Sequence, residues 1–296
     1  MIAVFGHRGA RGLLPENTLE GFTHAEHLRL TGVELDIAVT ADGIPVAHHD
    51  PKLHPDIARD KSGVYVGGAA PLIRTLTFQQ LNTYDVGRLR KGSDYAAKFP
   101  EQVPVEGARV PALGDIFSAC PVLDFLVEIK SDPQRPDETP PPGQLVRAVV
   151  RVLRQANRNA MLCAFDWRVL QDAAIQAPSL RRCCLTAPET VGNAGLWFGS
   201  TRLEAFGGSV PRAVASTGAM AWAPFHETLD APQRHEAQHL GLAVLAWTVN
   251  EPADIHRMID LAVDGIISDR PDRVQAILAA RGVAMAPPGF AVAPRG

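Results

Sequence analysis

Cysteine and long apolar runs are both scarce in this chain. Its 296 residues include 4 cysteines, whose spacing fits neither a disulfide framework nor a zinc ribbon. We therefore predict buried thiols in a reducing cytoplasm. No stretch approaches the roughly eighteen consecutive apolar residues of a membrane span, and the apolar run before Gly6 is too short for a signal peptide. We expect no stable membrane insertion.

An excess of charge of either sign is also missing. The formal net charge is −3 at pH 7, and 21% of the residues are charged. Bulk electrostatics therefore gives no reason to expect nucleic-acid or membrane-surface binding. Apolar residues make up 46% of the chain, which is an ordinary content for a protein with a large core.

Short apolar runs alternate with helical patterns from end to end. Eight runs have the character of strands, at residues 2–6, 33–39, 123–129, 160–165, 181–186, 219–223, 243–249 and 264–268. This alternation indicates parallel strands joined by crossover helices, and eight such units favour a closed barrel over an open sheet. We therefore predict an α/β protein with a (β/α)8 TIM barrel. The units around 187–218 are the least distinct, because they are rich in glycine, serine and alanine.

Two segments break this alternation. Residues 51–110 contain no clean strand–helix unit, are rich in glycine, proline and charge, and show one short helical pattern at 77–84. They predict a small insertion subdomain over the barrel mouth, after the second strand. Residues 283–296 lack apolar periodicity and predict a flexible C-terminal tail. The barrel domain accordingly spans residues 1–282.

Three acidic residues stand at the ends of two predicted strands. Alternate strand residues share a face, so Glu34 and Asp36 point the same way, as do Glu128 and Lys130. Either pair alone could be an outward-facing, salt-bridged set. Both lie at carboxyl ends of strands, where barrel sites are built, and buried unpaired carboxylates are costly. We therefore predict one divalent cation on Glu34, Asp36 and Glu128, Mg²⁺ or Ca²⁺ rather than zinc.

Histidines and cationic side chains stand at the same strand ends. His7 and Arg8 follow the first strand, and His49 follows the second. Two histidines beside a predicted metal site are candidates for a general acid/base pair. Arg8 and Lys130 add positive charge, so the site with its divalent ion is formally neutral once it holds one phosphodiester. The residues thus predict a phosphate-binding site. Residues 15–18 are interpreted as a turn that starts the first helix and takes no part in the chemistry.

A zinc-protease motif is also present. The segment His235-Glu236-Ala237-Gln238-His239 fits the pattern H-E-x-x-H. A third ligand is missing at the usual spacings, because Leu245 occupies one expected position and the next acid, Glu251, precedes Pro252. We interpret the segment as the solvated face of an outer barrel helix.

Taken together, these residues resemble the glycerophosphodiester phosphodiesterases. The shared motifs, in chain order, are His7-Arg8-Gly9, Pro15-Glu16-Asn17-Thr18, Val33-Glu34-Leu35-Asp36, Thr40 with Asp42-Gly43, His49-Asp50, Glu128-Ile129-Lys130, Trp247-Thr248-Val249-Asn250 and Asp264-Gly265-Ile266-Ile267-Ser268-Asp269-Arg270-Pro271. The resemblance extends over about residues 3–280. Two positions depart from the family pattern: Ala164-Phe165 stands where Ser-Phe is usual, and Ser268 stands where threonine is usual.

The resemblance implies a fold, a reaction and a set of roles. The fold is a (β/α)8 barrel with a small insertion after the second strand. The reaction is metal-dependent hydrolysis of small-molecule glycerophosphodiesters to glycerol 3-phosphate and an alcohol. The implied roles are metal ligation by Glu34, Asp36 and Glu128, acid/base chemistry by His7 and His49, phosphate contact by Arg8 and Lys130, and a pocket wall at Trp247.

Two alternatives to this reaction stay open. A lysophospholipase D-type phosphodiesterase would use the same site but would need an apolar groove, for which residues 51–110 are the only candidate in the sequence. A non-catalytic barrel that binds a phosphorylated metabolite is disfavoured, since a pure binder needs no acid/base pair such as His7 and His49.

Overall fold

Eight parallel strands close into a barrel, as the alternating pattern predicts. The computed structural model describes residues 1–158 and 160–289. The strands are β1 (Ala3–His7), β2 (Gly32–Val39), β3 (Pro45–Ala47), β4 (Asp124–Ile129), β5 (Met161–Ala164), β6 (Arg181–Thr186), β7 (Ala221–Pro224), β8 (Ala243–Ala246) and β9 (Gly265–Ser268). Because β1 pairs with both β2 and β9, the parallel strands form a closed ring. β3 is an added antiparallel strand on β2.

Helices follow the strands and cover the barrel. They are α1 (Leu19–His27), α2 (Phe78–Leu81), α3 (Asp94–Ala97), α4 (Leu113–Ala119), α5 (Pro142–Gln155), α6 (Trp167–Gln176), α7 (Pro188–Gly192), α8 (Ala194–Trp197), α9 (Val210–Ser216), α10 (Ala231–His239), α11 (Pro252–Asp260) and α12 (Pro271–Ala280), with 3-10 turns at Gly67–Ala69, Ile73–Thr75, Leu203–Phe206 and His226–Thr228. Within the described ranges, none of these helices combines the length and the apolar composition that crossing a bilayer requires.

Alternation along the strands separates two apolar layers. On β1, Ala3 and Phe5 belong to the cluster inside the barrel, whereas Val4 belongs to the layer between strands and helices. Towards the carboxyl ends, polar residues such as His7 and Glu34 replace apolar ones on the inward face. The barrel is therefore a packed core with one polar end, and that end is where barrel enzymes place their sites.

The insertion has an apolar cluster of its own. Leu53, Ile73 and Leu81 are buried there, together with Val46 of β3. The short helix predicted at 77–84 is present as α2, which ends earlier, at Leu81, and begins where Thr77 accepts a hydrogen bond from the backbone N–H of Gln80. The segment thus packs against the hairpin formed by β2 and β3.

The segment 283–289 is packed where a flexible tail was expected. The backbone N–H of Ile2 donates to the Ala284 carbonyl at 3.0 Å, and the N–H of Ala286 donates to the Ile2 carbonyl at 2.9 Å. Ala286 is buried in the interior cluster, and its carbonyl accepts a bond from the Thr31 hydroxyl. Such backbone pairing requires no apolar periodicity, so the sequence pattern did not predict it. Residues 290–296 of the expected tail lie outside the described residues.

Candidate active site

Three acidic side chains from two neighbouring strands converge at the carboxyl end of the barrel. Glu34 and Asp36 lie on β2 and Glu128 on β4, where the strand register places Asp36 beside Glu128. Their carboxylate oxygens lie within 4.8 Å of one another, and all three residues are buried. The structure therefore brings together the three residues predicted to hold a metal ion. We call them the acidic triad.

The acidic triad contains oxygen atoms that the described residues leave unsatisfied. Glu34 Oε1 and Asp36 Oδ1 are buried and have no hydrogen-bond partner there. Burial, with the neighbouring charges of Asp36 and Glu128, raises the pKa of Glu34 well above its usual range. Buried acceptors without donors are destabilising unless something else satisfies them. A compact set of carboxylate oxygens fits a hard divalent cation.

Lys130 lies directly on the acidic triad. Its Nζ donates a 2.6 Å hydrogen bond to Glu128 Oε1 and lies 3.4 Å from Asp36 Oδ1. Burial alone would lower the pKa of this ammonium, but Glu128 and Asp36 raise it above its usual value. Lys130 is therefore a fixed positive charge in the site.

Arg8 is placed by a tight turn after β1. Its backbone is left-handed, with φ 52°, and the backbone N–H donates to Glu34 Oε2 at 3.2 Å. Its guanidinium lies 3.1 Å from Asp36 Oδ2 and donates a 2.8 Å bond to Glu16 Oε1. Although burial alone would raise the pKa of Asp36, Arg8 holds it well below its usual range. Arg8 is thus buried among carboxylates at the edge of the acidic triad.

The glycine after Arg8 is required by this turn. Gly9 has φ 94°, and a Cβ at this position would lie 2.9 Å from the backbone carbonyl carbon of Gly21 in α1. A side chain would therefore push the turn away from the helix. This is the physical reason for glycine in the motif His7-Arg8-Gly9.

His7 is fixed through one ring nitrogen. Nδ1 lies 2.6 Å from Asp269 Oδ1, and Nε2 lies 3.7 Å from Glu34 Oε2. Burial lowers the pKa of His7, against the opposing effect of Asp269. An ionised carboxylate can only accept, so Nδ1 carries the proton of the neutral ring. Nε2 is therefore the nitrogen directed towards the acidic triad.

His49 has a similar arrangement on a more open side of the site. Its Nδ1 lies 2.7 Å from Asp50 Oδ1, and its side chain is 35% exposed, compared with 12% for His7. Removal from water, with the charges of Lys130 and Arg8, lowers the pKa of His49 to about 4. Both histidines are thus held by a carboxylate at Nδ1, and both have a lowered pKa.

A cavity of about 190 Å³ opens at this end of the barrel. Seven of the eight predicted site residues line it, namely His7, Arg8, Glu34, His49, Glu128, Lys130 and Trp247. The eighth, Asp36, is 1% exposed. Trp247 donates its indole N–H to the Ala223 carbonyl at 2.9 Å and meets Phe165 edge to face, with 5.2 Å between ring centroids. These two rings form an aromatic wall of the cavity.

A second cavity of about 370 Å³ adjoins the first. The two share His49, Glu128, Lys130, Phe165 and Trp247. The remaining lining of the wider cavity comes from segments 50–51, 131–139 and 187–197. The site therefore has a narrow part beside His7 and a wider part beyond His49.

Six further residues, to which the sequence analysis gave no role, also reach the site. They are Arg11, Glu16, Asn17, Asp50, Asn250 and Asp269. All of these residues except Arg11 belong to the family motifs quoted above. Their place in those motifs is the feature of the sequence that could have identified them. Residues 15–18 do form the expected turn, and Thr18 caps α1. Glu16 also contacts Arg8, and Asn17 contacts Asp36. The segment therefore supports site residues in addition to forming the turn that starts α1.

The H-E-x-x-H segment lies on α10, away from this cavity. His235 and His239 are exposed, with 4.1 Å between their ring centroids, and Glu236 pairs with Arg212 at 2.6 Å. Within residues 1–158 and 160–289, the acidic triad is the group whose geometry suits a metal ion. The segment matches its interpretation as an outer barrel helix.

Comparison with known proteins places this geometry in context. The model of the glycerophosphoryl diester phosphodiesterase family matches residues 7–273. A curated glycerophosphodiester phosphodiesterase from Caldanaerobacter subterraneus is 27% identical over 278 residues, which cover 91% of this chain and 94% of that protein.

Solved structures show the same barrel. A Silicibacter pomeroyi protein, described as a glycerophosphoryl diester phosphodiesterase, is 36% identical, with a TM-score of 0.87 over 96% of this chain and 95% of that chain. An Oleispira antarctica phosphodiesterase, solved in complex with the product sn-glycerol-3-phosphate, is 21% identical, with a TM-score of 0.69 over 94% of this chain and 96% of that chain. The (β/α)8 TIM barrel predicted from the sequence is confirmed.

Proposed function

The chain belongs to the glycerophosphoryl diester phosphodiesterase family, and from that premise we propose that it hydrolyses glycerophosphodiesters to sn-glycerol 3-phosphate and an alcohol. The proposed reaction needs one divalent cation, Mg²⁺ or Ca²⁺, on the acidic triad, with His7 and His49 as its acid/base pair. One observation carries the proposal: two carboxylate-bound histidines line the same cavity as Glu34 and Glu128 of the acidic triad, and two buried oxygens of that triad accept no hydrogen bond from the described residues.

The acidic triad is the part that would hold the metal. Glu34, Asp36 and Glu128 offer oxygen ligands only, and two of their buried oxygens accept no hydrogen bond from the described residues. One of the two, Asp36 Oδ1, lies 3.4 Å from the Lys130 ammonium. When bound, a divalent cation offsets the negative charge of a phosphoryl group and makes its phosphorus more open to attack. The fixed charges of Lys130 and Arg8 lie beside these same carboxylates.

Arg8 and Lys130 are the proposed phosphate contacts. Both line the cavity with the histidines. A guanidinium has five N–H donors and an ammonium three, so each group keeps donors beyond those that face Glu16, Asp36 and Glu128. A phosphodiester carries one negative charge, which these two cations would bind and orient.

His7 and His49 are the proposed proton carriers. Nδ1 of each ring faces a carboxylate, so Nε2 is the nitrogen that remains for proton transfer. One ring would accept a proton from the attacking group, which is water or a hydroxyl of the substrate, and the other would donate one to the leaving alkoxide. Attack by the substrate hydroxyl would form a cyclic phosphate, which water then opens to sn-glycerol 3-phosphate. Both pKa values are lowered, so both rings are neutral near neutral pH in the protein without metal. The ring that acts as the acid must first take up a proton.

The wider cavity beyond His49 is the proposed place of the alcohol. Phe165, Trp247 and Trp197 give it an aromatic lining, and segments 131–139 and 187–197 border it. This observation favours a second candidate, a lysophospholipid whose headgroup occupies the same catalytic site. The aromatic lining comes from Phe165, Trp197 and Trp247, none of which belongs to residues 51–110, the only candidate groove in the sequence; that insertion contributes Pro51 to this cavity.

A cytoplasmic location is also proposed. All four cysteines are free and buried in the structure, and free thiols are usual in a reducing compartment.

The test is a product assay on purified protein with Mg²⁺ or Ca²⁺. We expect release of sn-glycerol 3-phosphate from glycerophosphocholine, and loss of that release in His7→Ala and His49→Ala. Lysophosphatidylcholine is assayed in parallel, and faster choline release from it would favour the second candidate. Binding of glycerophosphocholine without turnover, in either metal, would support the non-catalytic barrel and overturn the proposal.

A further inference from the structure

We propose that Asp269 is a positioning residue for His7, and that the insertion holds this pair in place through Arg11. The proposal rests on the proposed function, because it concerns one of the two histidines in that reaction. It adds a role for a carboxylate outside the acidic triad and for a subdomain outside the barrel.

The Asp269 carboxylate is held on both oxygens. Oδ1 accepts from His7 Nδ1 at 2.6 Å and from Arg11 Nε at 2.9 Å. Oδ2 accepts from Arg11 Nη2 at 3.1 Å and from Asn250 Nδ2 at 2.8 Å. The Asp269 backbone N–H donates to Asn250 Oδ1 at 2.9 Å, and the residue is 3% exposed. Four side-chain bonds and one backbone bond therefore fix the carboxylate plane.

This fixed carboxylate selects one state of the His7 ring. Two groups approach Nδ1: the Asp269 carboxylate at 2.6 Å, which can only accept, and Arg11 Nη2 at 3.2 Å, which can only donate. The shorter contact is the one to Asp269, so Nδ1 carries the ring proton and Nε2 is left as the basic nitrogen. Nε2 lies 3.7 Å from Glu34 Oε2, at the edge of the cavity. A ring without the Asp269 contact would be free to rotate and to take the other tautomer, which places no lone pair towards the cavity.

Arg11 connects Asp269 to the insertion. Its Nη1 donates to the Tyr95 hydroxyl at 3.3 Å, and its guanidinium lies 4.6 Å from the centre of the Phe99 ring. Its backbone carbonyl accepts a 2.7 Å bond from Gln102 Nε2. Tyr95 and Phe99 also meet edge to face, with 5.3 Å between ring centroids. The insertion thus contacts Arg11 at both its side chain and its backbone.

If Asp269 served only to form a structural ion pair with Arg11, different results would be expected. Such a role requires the two contacts with the guanidinium, but not the shorter contact from Asp269 Oδ1 to the His7 ring. Its removal would lower stability and leave the turnover of the folded protein unchanged. A positioning role lowers kcat while substrate and metal still bind.

The first experiment compares Asp269→Asn with the matched control Asp272→Asn. Asp272 is also paired with an arginine, Arg270, at 2.8 Å, but it is half-buried and contacts no predicted site residue that the structure records. We expect Asp269→Asn to lower kcat at least about 100-fold, the lower end of what a positioned acid or base contributes. KM for glycerophosphocholine, and the Mg²⁺ dissociation constant from calorimetry, should stay close to those of the control.

A second variant acts through the insertion and leaves Asp269 and His7 in place. Phe99→Leu removes the ring over which Arg11 lies, so we expect a smaller fall in kcat. In the Asp269→Asn background the same substitution should cause no further loss, because residues that act as one unit are not additive. If Asp269→Asn folds poorly, the proposal is tested with Arg11→Met in its place. Phe99→Leu is then compared with Arg11→Met and with the variant that carries both of these substitutions.

A third readout is independent of turnover. Nitrogen-15 NMR of the metal-free protein should show the Nδ1–H tautomer for His7, with its signals assigned by their loss in His7→Gln. We expect that pattern to change in Asp269→Asn and to persist in Asp272→Asn.

The outcomes separate this proposal from the function on which it rests. If the wild type releases no sn-glycerol 3-phosphate, or His7→Ala retains full activity, the proposed function fails. If the wild type is active and His7→Ala is not, the proposal alone fails on any of three results. These are a wild-type kcat in Asp269→Asn, losses in Asp269→Asn and Phe99→Leu that simply add, or an unchanged His7 tautomer in Asp269→Asn.

Discussion

Asn17 Nδ2 donates a 2.9 Å hydrogen bond to Asp36 Oδ2, so the turn after β1 contacts the acidic triad directly. Asn17 is 4% exposed and left-handed, with φ 52°, and its backbone N–H donates to the Arg8 carbonyl at 3.0 Å. The turn thereby holds Asp36 through one oxygen and leaves Oδ1 facing Lys130. Orientation of a ligand by such a neighbour commonly tunes a metal site.

Asn17→Ala should weaken metal binding by about 10-fold to 100-fold, the usual effect of losing a partner that orients a ligand. The measurement is calorimetric titration of Mg²⁺ or Ca²⁺ into metal-free protein. Asn82→Ala is the control, because Asn82 is exposed at the end of α2. Equal metal affinity in both variants would show that Asn17 does not orient Asp36.

Glu16→Gln should lower the free energy of unfolding by about 3 kcal/mol, because it leaves a buried guanidinium short of a counter-charge. Glu16 pairs with Arg8 at 2.8 Å and also accepts a bond from the Tyr95 hydroxyl. Tyr95→Phe removes that neutral donor, and with it the 3.3 Å bond that the hydroxyl accepts from Arg11 Nη1, and should cost about 1 kcal/mol. Urea unfolding of the metal-free variants measures whether Glu16→Gln loses more free energy of unfolding than Tyr95→Phe. A larger loss in Tyr95→Phe than in Glu16→Gln would contradict the assignment of Arg8 as the main partner.

His49→Ala should lower kcat by at least about 100-fold, as expected when a general acid or base is removed. His235→Ala should leave turnover unchanged, since His235 is exposed on α10 outside the cavity. Steady-state kinetics on glycerophosphocholine compares the two. Loss of activity in His235→Ala, with a bound zinc ion in the wild type, would instead favour the H-E-x-x-H motif as the metal site.

Metal affinity should rise with pH above the usual glutamate value of about 4.3. In the metal-free protein, burial raises the pKa of Glu34 and of Glu128. Their protons must leave before the oxygens can bind a cation, so binding should release protons. By the same sign, these two carboxyl groups bind more protons in the folded metal-free state than in the unfolded chain. The stability that Glu34 and Glu128 contribute should therefore fall as pH rises through their raised pKa values.

Calorimetry in buffers of different ionisation enthalpy measures the released protons. Glu34→Gln is the matched comparison, because it removes the carboxyl with the pKa that is raised well above its usual range. An affinity independent of pH, with no proton release in the wild type, would contradict the protonated state of Glu34 and Glu128.

The acidic triad could be predicted because it depends on regular geometry. Period-two alternation places Glu34 and Asp36 on one face, and closure of a parallel barrel brings Glu128 on β4 beside them. His7 could be predicted for the same reason, since it ends β1. His49 instead follows β3, an added antiparallel strand that the alternating pattern does not predict. A regular pattern therefore predicts the site residues that lie on the parallel barrel strands.

The contacts among these residues could not be predicted, because they depend on turns and on docking. Arg11 and Phe99 meet only because the insertion folds back over the turn after β1, and no periodicity encodes that packing. The pairing of His7 with Asp269 depends on side-chain rotamers 262 positions apart in sequence. Ala286 enters the barrel interior by backbone pairing with Ile2, which composition does not reveal.

Release of sn-glycerol 3-phosphate from glycerophosphocholine, with and without chelator, tests the central claim most directly. The assay uses wild type, Glu128→Gln and the matched control Asp124→Asn, which changes a half-buried acid on the same strand. We predict release by the wild type and by the control in Mg²⁺ or Ca²⁺. We also predict no release in excess EDTA or in Glu128→Gln, and recovery when metal is returned to the chelated wild type. Full release by the wild type in excess EDTA would contradict a metal-dependent phosphodiesterase site on Glu34, Asp36 and Glu128.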